Sequence, residues 1–177
     1  MLEGKEGVCV LNIYNAYKKA IKAMNKALDV IIVILMLSMV GVVIYQVIMR
    51  QIFENPPMWG EQIAVLLMIW FVFLGIVLGL EEGLHIGITL LVSRLPKKAA
   101  YIVEIIVNVL ILVLATLFIL FGAEHVATLL RTGAVMPVTG LPNAIFYLPI
   151  ALTGALMVLV TLGKIAEQII QRKELLA

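Results

Sequence analysis

The residues that could support chemistry are two histidines and a few carboxylates near the ends of apolar segments. Two well-placed histidines can hold a haem iron between them. His85 and His125, however, follow two segments predicted to cross a membrane in opposite directions, so a hydrocarbon core of about 30 Å separates them. One haem cannot bind both, and we interpret His85 as an interfacial residue. The sequence contains no catalytic triad, zinc cluster or phosphate-binding loop. We therefore expect no cofactor, no metal and no catalytic residue, and we predict that the chain is not an enzyme.

The deepest polar pair is formed by Glu104 and Asn108, which share one helical face. Such a pair can hydrogen-bond a neighbouring helix or contribute to an ion site. We favour the first interpretation, because Glu104 lies only about two turns from Lys98 and can reach the membrane surface. A carrier that couples to protons usually has an ionisable group deep in the membrane. The sequence predicts none here.

A third group surrounds the connection after the first apolar segment. Arg50 precedes two prolines that stiffen this connection, and Trp59 and Glu61 follow them. Because Arg50 and Glu61 have opposite charges, a hydrogen-bonded pair at the water–lipid boundary would clamp the hairpin. Alternatively, this group contacts another protein, together with Arg131 in the connection after the third span. Both interpretations stay open from the sequence.

Composition indicates the class of protein. The chain has 177 residues, of which 63% are hydrophobic and 14% charged, and its mean hydropathy is +1.14. Soluble domains are about half apolar and a quarter charged. We therefore predict an all-α integral membrane protein surrounded by the phospholipid bilayer, with no nucleic-acid partner. The single Cys9 excludes an intramolecular disulfide.

Apolar runs and helix breakers divide this single membrane domain, residues 1–177, into four transmembrane helices plus amphipathic interfacial helices. The uncharged run from Ile63 to Leu80 can cross about 30 Å of hydrocarbon as a helix. Pro149 predicts a kink in the fourth span. The predicted elements are an amphipathic N-terminal segment (1–27), spans at 28–49, 62–81, 99–123 (the helix continuing to about 130) and 142–163, an interfacial helix (84–95) and a cytoplasmic tail (164–177). Whether a bend separates the N-terminal segment from the first span stays open.

Basic residues predict the orientation in the membrane. Of the 13 lysine and arginine residues, only Arg50 and Arg131 lie in the connections after the first and third spans. We therefore expect both termini in the cytoplasm and these two connections in the periplasm. The N-terminal segment carries lysines that we expect to face anionic head groups at the membrane surface. They are Lys18, Lys19, Lys22 and Lys26.

Four glycines repeat at a spacing of four residues along and beyond the second span. On a helix this spacing forms a stripe without side chains, along which another helix backbone can approach closely. They are Gly75, Gly79, Gly83 and Gly87. We interpret the stripe as a packing surface for a partner subunit.

Several short motifs occur together in a characteristic order. They are Arg50-x-x-Phe53, Trp59-x-Glu61, Phe73-x-Gly75, Glu82-Gly83-x-His85, Leu141-Pro142 and Tyr147-x-Pro149. In order and spacing they resemble the small membrane subunit, the DctQ-like or Q subunit, of tripartite ATP-independent periplasmic (TRAP) transporters. Two positions depart from the family pattern. Gln62 stands where a second carboxylate is common, and Glu82 stands where a basic residue is common.

The resemblance implies an accessory scaffold subunit in a bacterial inner membrane. It would pair with a large membrane subunit that performs sodium symport. A periplasmic substrate-binding protein would deliver an organic acid of the C4-dicarboxylate or sialic acid type. The alternative is a stand-alone four-helix membrane protein, either a homo-oligomeric carrier or a signalling adaptor.

Overall fold

The computed structural model describes the backbone of residues 3–81 and 97–176. This part of the chain is built from α-helices: α1 (Glu3–Gln51), α2 (Met58–Glu81), α3 (Lys97–Thr132) and α4 (Ala144–Leu176). Each contains a stretch long and apolar enough to cross a membrane, which confirms the predicted all-α membrane fold with four spans. The predicted interfacial helix 84–95, and with it Gly83, Gly87 and His85, lies outside the described residues. We use "outer end" for the end at which α1 joins α2 and α3 joins α4.

Helix α1 joins the predicted N-terminal segment and the first span without interruption. Its 49 residues make it about 73 Å long at about 1.5 Å per residue, which exceeds the thickness of a bilayer. Lys19, Lys22 and Lys26 are exposed along it. For Lys18 only the backbone is described, and contact of these lysines with a membrane surface stays a prediction.

The helices are arranged in a row in the order α1, α2, α4, α3. Backbones approach closely between neighbours in this order, and α1 also touches α4 over a short stretch. Within the described residues, α3 has no such close approach to α1 or α2. Side chains from all four helices nevertheless form one apolar core. Its buried members are Leu28, Leu74, Val77, Leu80, Ala115, Met157 and Val160.

Helices α3 and α4 cross closely at two glycines. A Cβ on Gly154 would lie 2.8 Å from the carbonyl oxygen of Ala115, and one on Gly122 would lie 2.8 Å from the backbone nitrogen of Ala151. Neither position accommodates a side chain without a shift of backbone. Small residues therefore bring α3 and α4 together, although neither glycine belongs to the stripe identified in the sequence.

The connection from α3 to α4 is an ordered loop. Gly133 has a φ of +63°, and the Ala134 N–H donates to the Leu129 carbonyl at 3.3 Å, so α3 ends in a Schellman-type cap. Val135 and Pro142 then pair in an antiparallel bridge. This bridge explains why α4 begins at Ala144 and not at Pro142, the first helical residue expected from the sequence. Met136, only 2% exposed, anchors the loop.

Candidate functional site

An open cleft of about 470 Å³ is lined by α1, α2 and the turn between them at the outer end. Arg50 and Glu61 both line it, together with Gln46 and residues of the proline-bearing turn. The turn closes the end of α1: the Asn55 N–H donates to the Met49 carbonyl at 3.2 Å, and Glu54 adopts a left-handed φ of 51°. The connection therefore places two opposite charges on the walls of one cleft.

The charged residues of this cleft do not bond to each other. Arg50 and Glu61 are both exposed, and the structure, which describes both side chains, has no ion pair within 4 Å between them. Trp59 lies elsewhere, stacked on Tyr45 with ring centroids 5.9 Å apart. This stacked pair holds α1 and α2 together at a point outside the cleft lining. The ion pair that the sequence suggested between Arg50 and Glu61 is not formed, and the two charges stay separate.

The outer loop is attached to α2 through Gln62. Its Oε1 accepts hydrogen bonds from the Thr139 N–H at 3.3 Å and from the Thr139 hydroxyl at 3.2 Å. An amide oxygen suffices for both bonds, so the position does not need a carboxylate here.

Arg131 lies in the last turn of α3 and is exposed. It belongs to the α3 side of the row, apart from the α1–α2 cleft.

Helices α2 and α4 are joined by hydrogen bonds in both directions. The Trp70 Nε1–H donates to the Ile145 carbonyl at 3.2 Å, and the Thr153 hydroxyl donates to the Phe73 carbonyl at 3.0 Å. Thr153 is completely buried. These bonds fix the height of α4 relative to α2. Sequence inspection missed Trp70 and Thr153, because nothing local to either residue shows which carbonyl it faces.

The opposite end of the row is held by Tyr17 and Lys164. The Tyr17 hydroxyl donates to the Leu159 carbonyl, and its ring covers Gly163. Burial raises the pKa of the Tyr17 phenol, against a smaller lowering by a backbone hydrogen bond to Gly163, so the hydroxyl keeps the proton that it donates. Lys164 Nζ donates to the Leu80 carbonyl, where a cation also suits the negative end of the α2 dipole.

At Gly75 the glycine stripe does not pack within the chain. A Cβ on Gly75 would meet no atom within 4 Å, and Gly79 is half-buried. The stripe is thus unoccupied at Gly75, and its role as a partner surface stays a prediction.

Asn108 is buried on α3 at 6% exposure, whereas the Glu104 side chain is not among those that the structure describes. Within the described residues, His, Cys, Asp and Glu form no cluster of three or more that could hold a metal.

Comparison with protein families decides the class of this fold. Residues 39–171 match the model of the family described as tripartite ATP-independent periplasmic transporters, DctQ component. The chain belongs to the DctQ family. The matched region includes the cleft, the α2–α4 hydrogen bonds and the outer loop, so these features lie within the family domain. It begins after the lysine-bearing part of α1.

Individual relatives agree with this family. The DctQ-family chain is 26% identical over 144 residues to a Haemophilus influenzae protein named as a TRAP transporter small permease protein, covering 81% of this chain and 82% of that one. A second protein of that name and species is 26% identical over 145 residues, covering 82% and 89%. The sialic acid TRAP transporter permease protein SiaT of H. influenzae is 31% identical over 88 residues, or 50% of this chain but 14% of SiaT.

Proposed function

We propose that this DctQ-family chain is the scaffold subunit of a sodium-coupled, binding-protein-dependent importer of organic acids. The large permease subunit would hold the solute and the sodium ions, and a periplasmic binding protein would deliver a sialic acid or a C4-dicarboxylate. The observation that carries the proposal is the row of helices, together with the family membership. Such a row buries little of its own surface and offers broad apolar faces to a partner.

Burial within the chain supports this role. In the most apolar part of α1 only 6% of the residues are buried, compared with 33% in α4. Exposed residues of α1 and α2 must face lipid or another protein. Gly75 adds a position at which a foreign helix backbone can approach closely. The large permease is the partner that we propose for this surface.

The absence of charge along α2 supports our proposal that transport occurs in another chain. From Ile63 to Leu80, α2 has no charged residue, and ionisable groups at membrane depth are the usual sign of an ion or proton path. SiaT supports the partnership, because the segment similar to this chain is only 14% of that permease. A segment similar to half of this chain therefore occurs within a much longer permease polypeptide.

The outer end is the proposed contact region for the other two components. Its exposed candidates are Arg50, Trp59, Glu61 and Arg131. We place this end in the periplasm and both termini in the cytoplasm of a bacterial inner membrane, on the basis of the lysine and arginine distribution. The ordered outer loop, attached at Gln62, would present a fixed surface to an approaching protein.

Reconstitution tests the proposal. The tagged chain is purified in mild detergent from its native host, and co-purifying membrane proteins are identified by mass spectrometry. We expect a larger permease at equal stoichiometry. In proteoliposomes, uptake of radiolabelled sialic acid or C4-dicarboxylate should require both membrane chains, the binding protein and an inward sodium gradient. Full uptake by the large permease without this chain would contradict the scaffold role, and a homo-oligomer that purifies without it would favour the stand-alone alternative.

A further inference from the structure

The cleft between α1 and α2 contains two opposite charges that do not neutralise each other. Arg50 and Glu61 line the same cavity of about 470 Å³, and both side chains are exposed. At an ordinary surface, unpaired charges are solvated and require no partner. Here both line one cavity, together with Pro56 and Pro57, whose rings restrict the backbone.

The cleft lies at the boundary between apolar and polar surface. Met58, 80% exposed, and Val47, 49% exposed, form part of its wall. The stacked rings of Tyr45 and Trp59 lie on the same hairpin, and such aromatic residues are typical of the head-group level of a membrane. An occupant of the cleft would therefore have apolar chains on the membrane side and polar groups on the water side.

The charges specify the polar part of this occupant. A guanidinium binds phosphate through paired N–H donors, and the N-terminus of α2 at Met58 adds partial positive charge beside it. The Glu61 carboxylate accepts hydrogen bonds from a primary ammonium, whereas a choline group has no N–H to donate. A purely anionic head group would leave Glu61 without a cation.

We propose that the α1–α2 cleft binds the head group of a zwitterionic phospholipid that has a primary ammonium, the phosphoethanolamine class. Arg50 holds the phosphate, Glu61 holds the ammonium, and the acyl chains follow Val47 and Met58 into the membrane. The assignment requires insertion of the hairpin in a bilayer and is independent of the transport function. It replaces the protein contact proposed above for Arg50 and Glu61, and Trp59 and Arg131 stay the candidates for contacts with proteins.

Native mass spectrometry of the chain, purified with its membrane partners, tests the site. The protein is equilibrated with equal amounts of phosphatidylethanolamine, phosphatidylcholine and phosphatidylglycerol, and the retained lipid is counted. We expect one phosphatidylethanolamine to be retained in preference to both others. Arg50→Gln and Glu61→Gln should each lower its retention by about tenfold, the effect of losing one hydrogen bond to a charged group. Glu124→Gln and Glu54→Gln remove exposed charges outside the cleft and should have no effect.

Three results would overturn the assignment. The first is equal retention of the three lipids by the unmodified protein, which needs no variant and remains informative if a variant fails to fold. The second is an equal loss of retention in the Glu124 and Glu54 variants. The third is retention by the isolated chain but not by its complex with a large permease, which would assign the cleft to a protein partner.

Discussion

The indole N–H of Trp70 donates to the carbonyl oxygen of Ile145 at 3.2 Å, and Ile145 lies four residues before Pro149. A proline has no N–H, so the carbonyl four residues earlier loses its helical donor. Trp70 supplies that donor from the neighbouring helix. The Thr153 hydroxyl, one turn beyond Pro149, completes the arrangement by donating to the Phe73 carbonyl at 3.0 Å. Helix α4 is therefore bonded to α2 on both sides of Pro149.

Replacement of the indole should destabilise the chain through this carbonyl. Trp70→Phe keeps an aromatic ring but leaves the Ile145 oxygen unpaired, which costs about 1–2 kcal/mol and lowers Tm by about 2–6 °C. Trp59→Phe, which keeps the ring stacked on Tyr45, is the matched control and should change Tm less. Thermal unfolding in detergent, followed by gel filtration with fluorescence detection, measures both.

A double-mutant cycle distinguishes this mechanism from a loss of packing. Pro149→Ala restores the N–H at position 149, so the Ile145 carbonyl regains its helical donor. Trp70→Phe should then cost about 1 kcal/mol less in the Pro149→Ala background than in the original chain. Equal costs in both backgrounds would show that the indole acts by filling space.

Gly75 should distinguish partner binding from folding. A Cβ at position 75 meets no atom within 4 Å, so Gly75→Leu should be as abundant as the original. If a partner helix packs there, a leucine forces the two helices apart, and recovery of the complex should fall by about tenfold, as expected for a loss of about 1.4 kcal/mol. Co-purification with the large permease measures this. Recovery at the original level would mean that Gly75 faces lipid.

Two other glycines are the controls for that experiment. Gly41 on α1 is equally open, so Gly41→Leu tests whether any added leucine on the exposed surface weakens the complex. Gly154 lies against the Ala115 carbonyl, so Gly154→Leu should lower the abundance of the chain itself. We expect Gly41→Leu to behave like the original chain, and Gly75→Leu to differ from both controls.

The outer loop should depend on an acceptor at position 62. Gln62→Leu removes the partner of the Thr139 N–H and hydroxyl. At about 1 kcal/mol, loss of this anchor should make amide exchange in residues 134–142 about fivefold faster. Gln62→Glu keeps an acceptor and should leave the loop protected. Hydrogen–deuterium exchange measures both variants, and equally fast exchange in the two would show that the charge-neutral amide is required.

The orientation is tested by fusions of alkaline phosphatase and green fluorescent protein. Fusions after Ala177 should fluoresce and lack phosphatase activity, because a lysine- and arginine-rich end stays in the cytoplasm. Fusions within residues 132–140 should show the reverse. An active phosphatase at Ala177 would invert the assignment of both ends, and the proposed periplasmic role of Arg50 and Arg131 would then be wrong.

Much of the fold follows from the sequence because lipid imposes it. Uncharged runs of this length must form helices that satisfy their own backbone, and the proline at position 149 marks the Ile145 carbonyl as one that has no donor within its helix. Which helices pack against each other does not follow from the sequence. The spacing of Gly75 and Gly79 indicates a surface without side chains, but it does not indicate which helix covers that surface. The close crossing of α3 and α4 instead uses Gly122 and Gly154, and the alignment of these glycines depends on how all four helices pack in the row.

The side-chain contacts of the cleft likewise could be predicted only in part from the sequence. A short connection guarantees that Arg50 and Glu61 are neighbours, and both line one cavity. Whether they bond depends on the turn, in which Glu54 has a left-handed φ, and on rotamers that sequence spacing does not specify. Trp70 was likewise visible only as an apolar residue of a span, since its acceptor lies 75 positions away.

The row of helices also has an energetic consequence. Because close backbone contacts run mainly from α1 to α2, from α2 to α4 and from α4 to α3, the free energy of the subunit divides into nearest-neighbour terms, as in repeat proteins. Away from the shared apolar core, changes in the α1–α2 interface and in the α3–α4 interface should therefore add with little coupling. Substitutions at one edge of the row can therefore accumulate without loss of the helix contacts at the other edge.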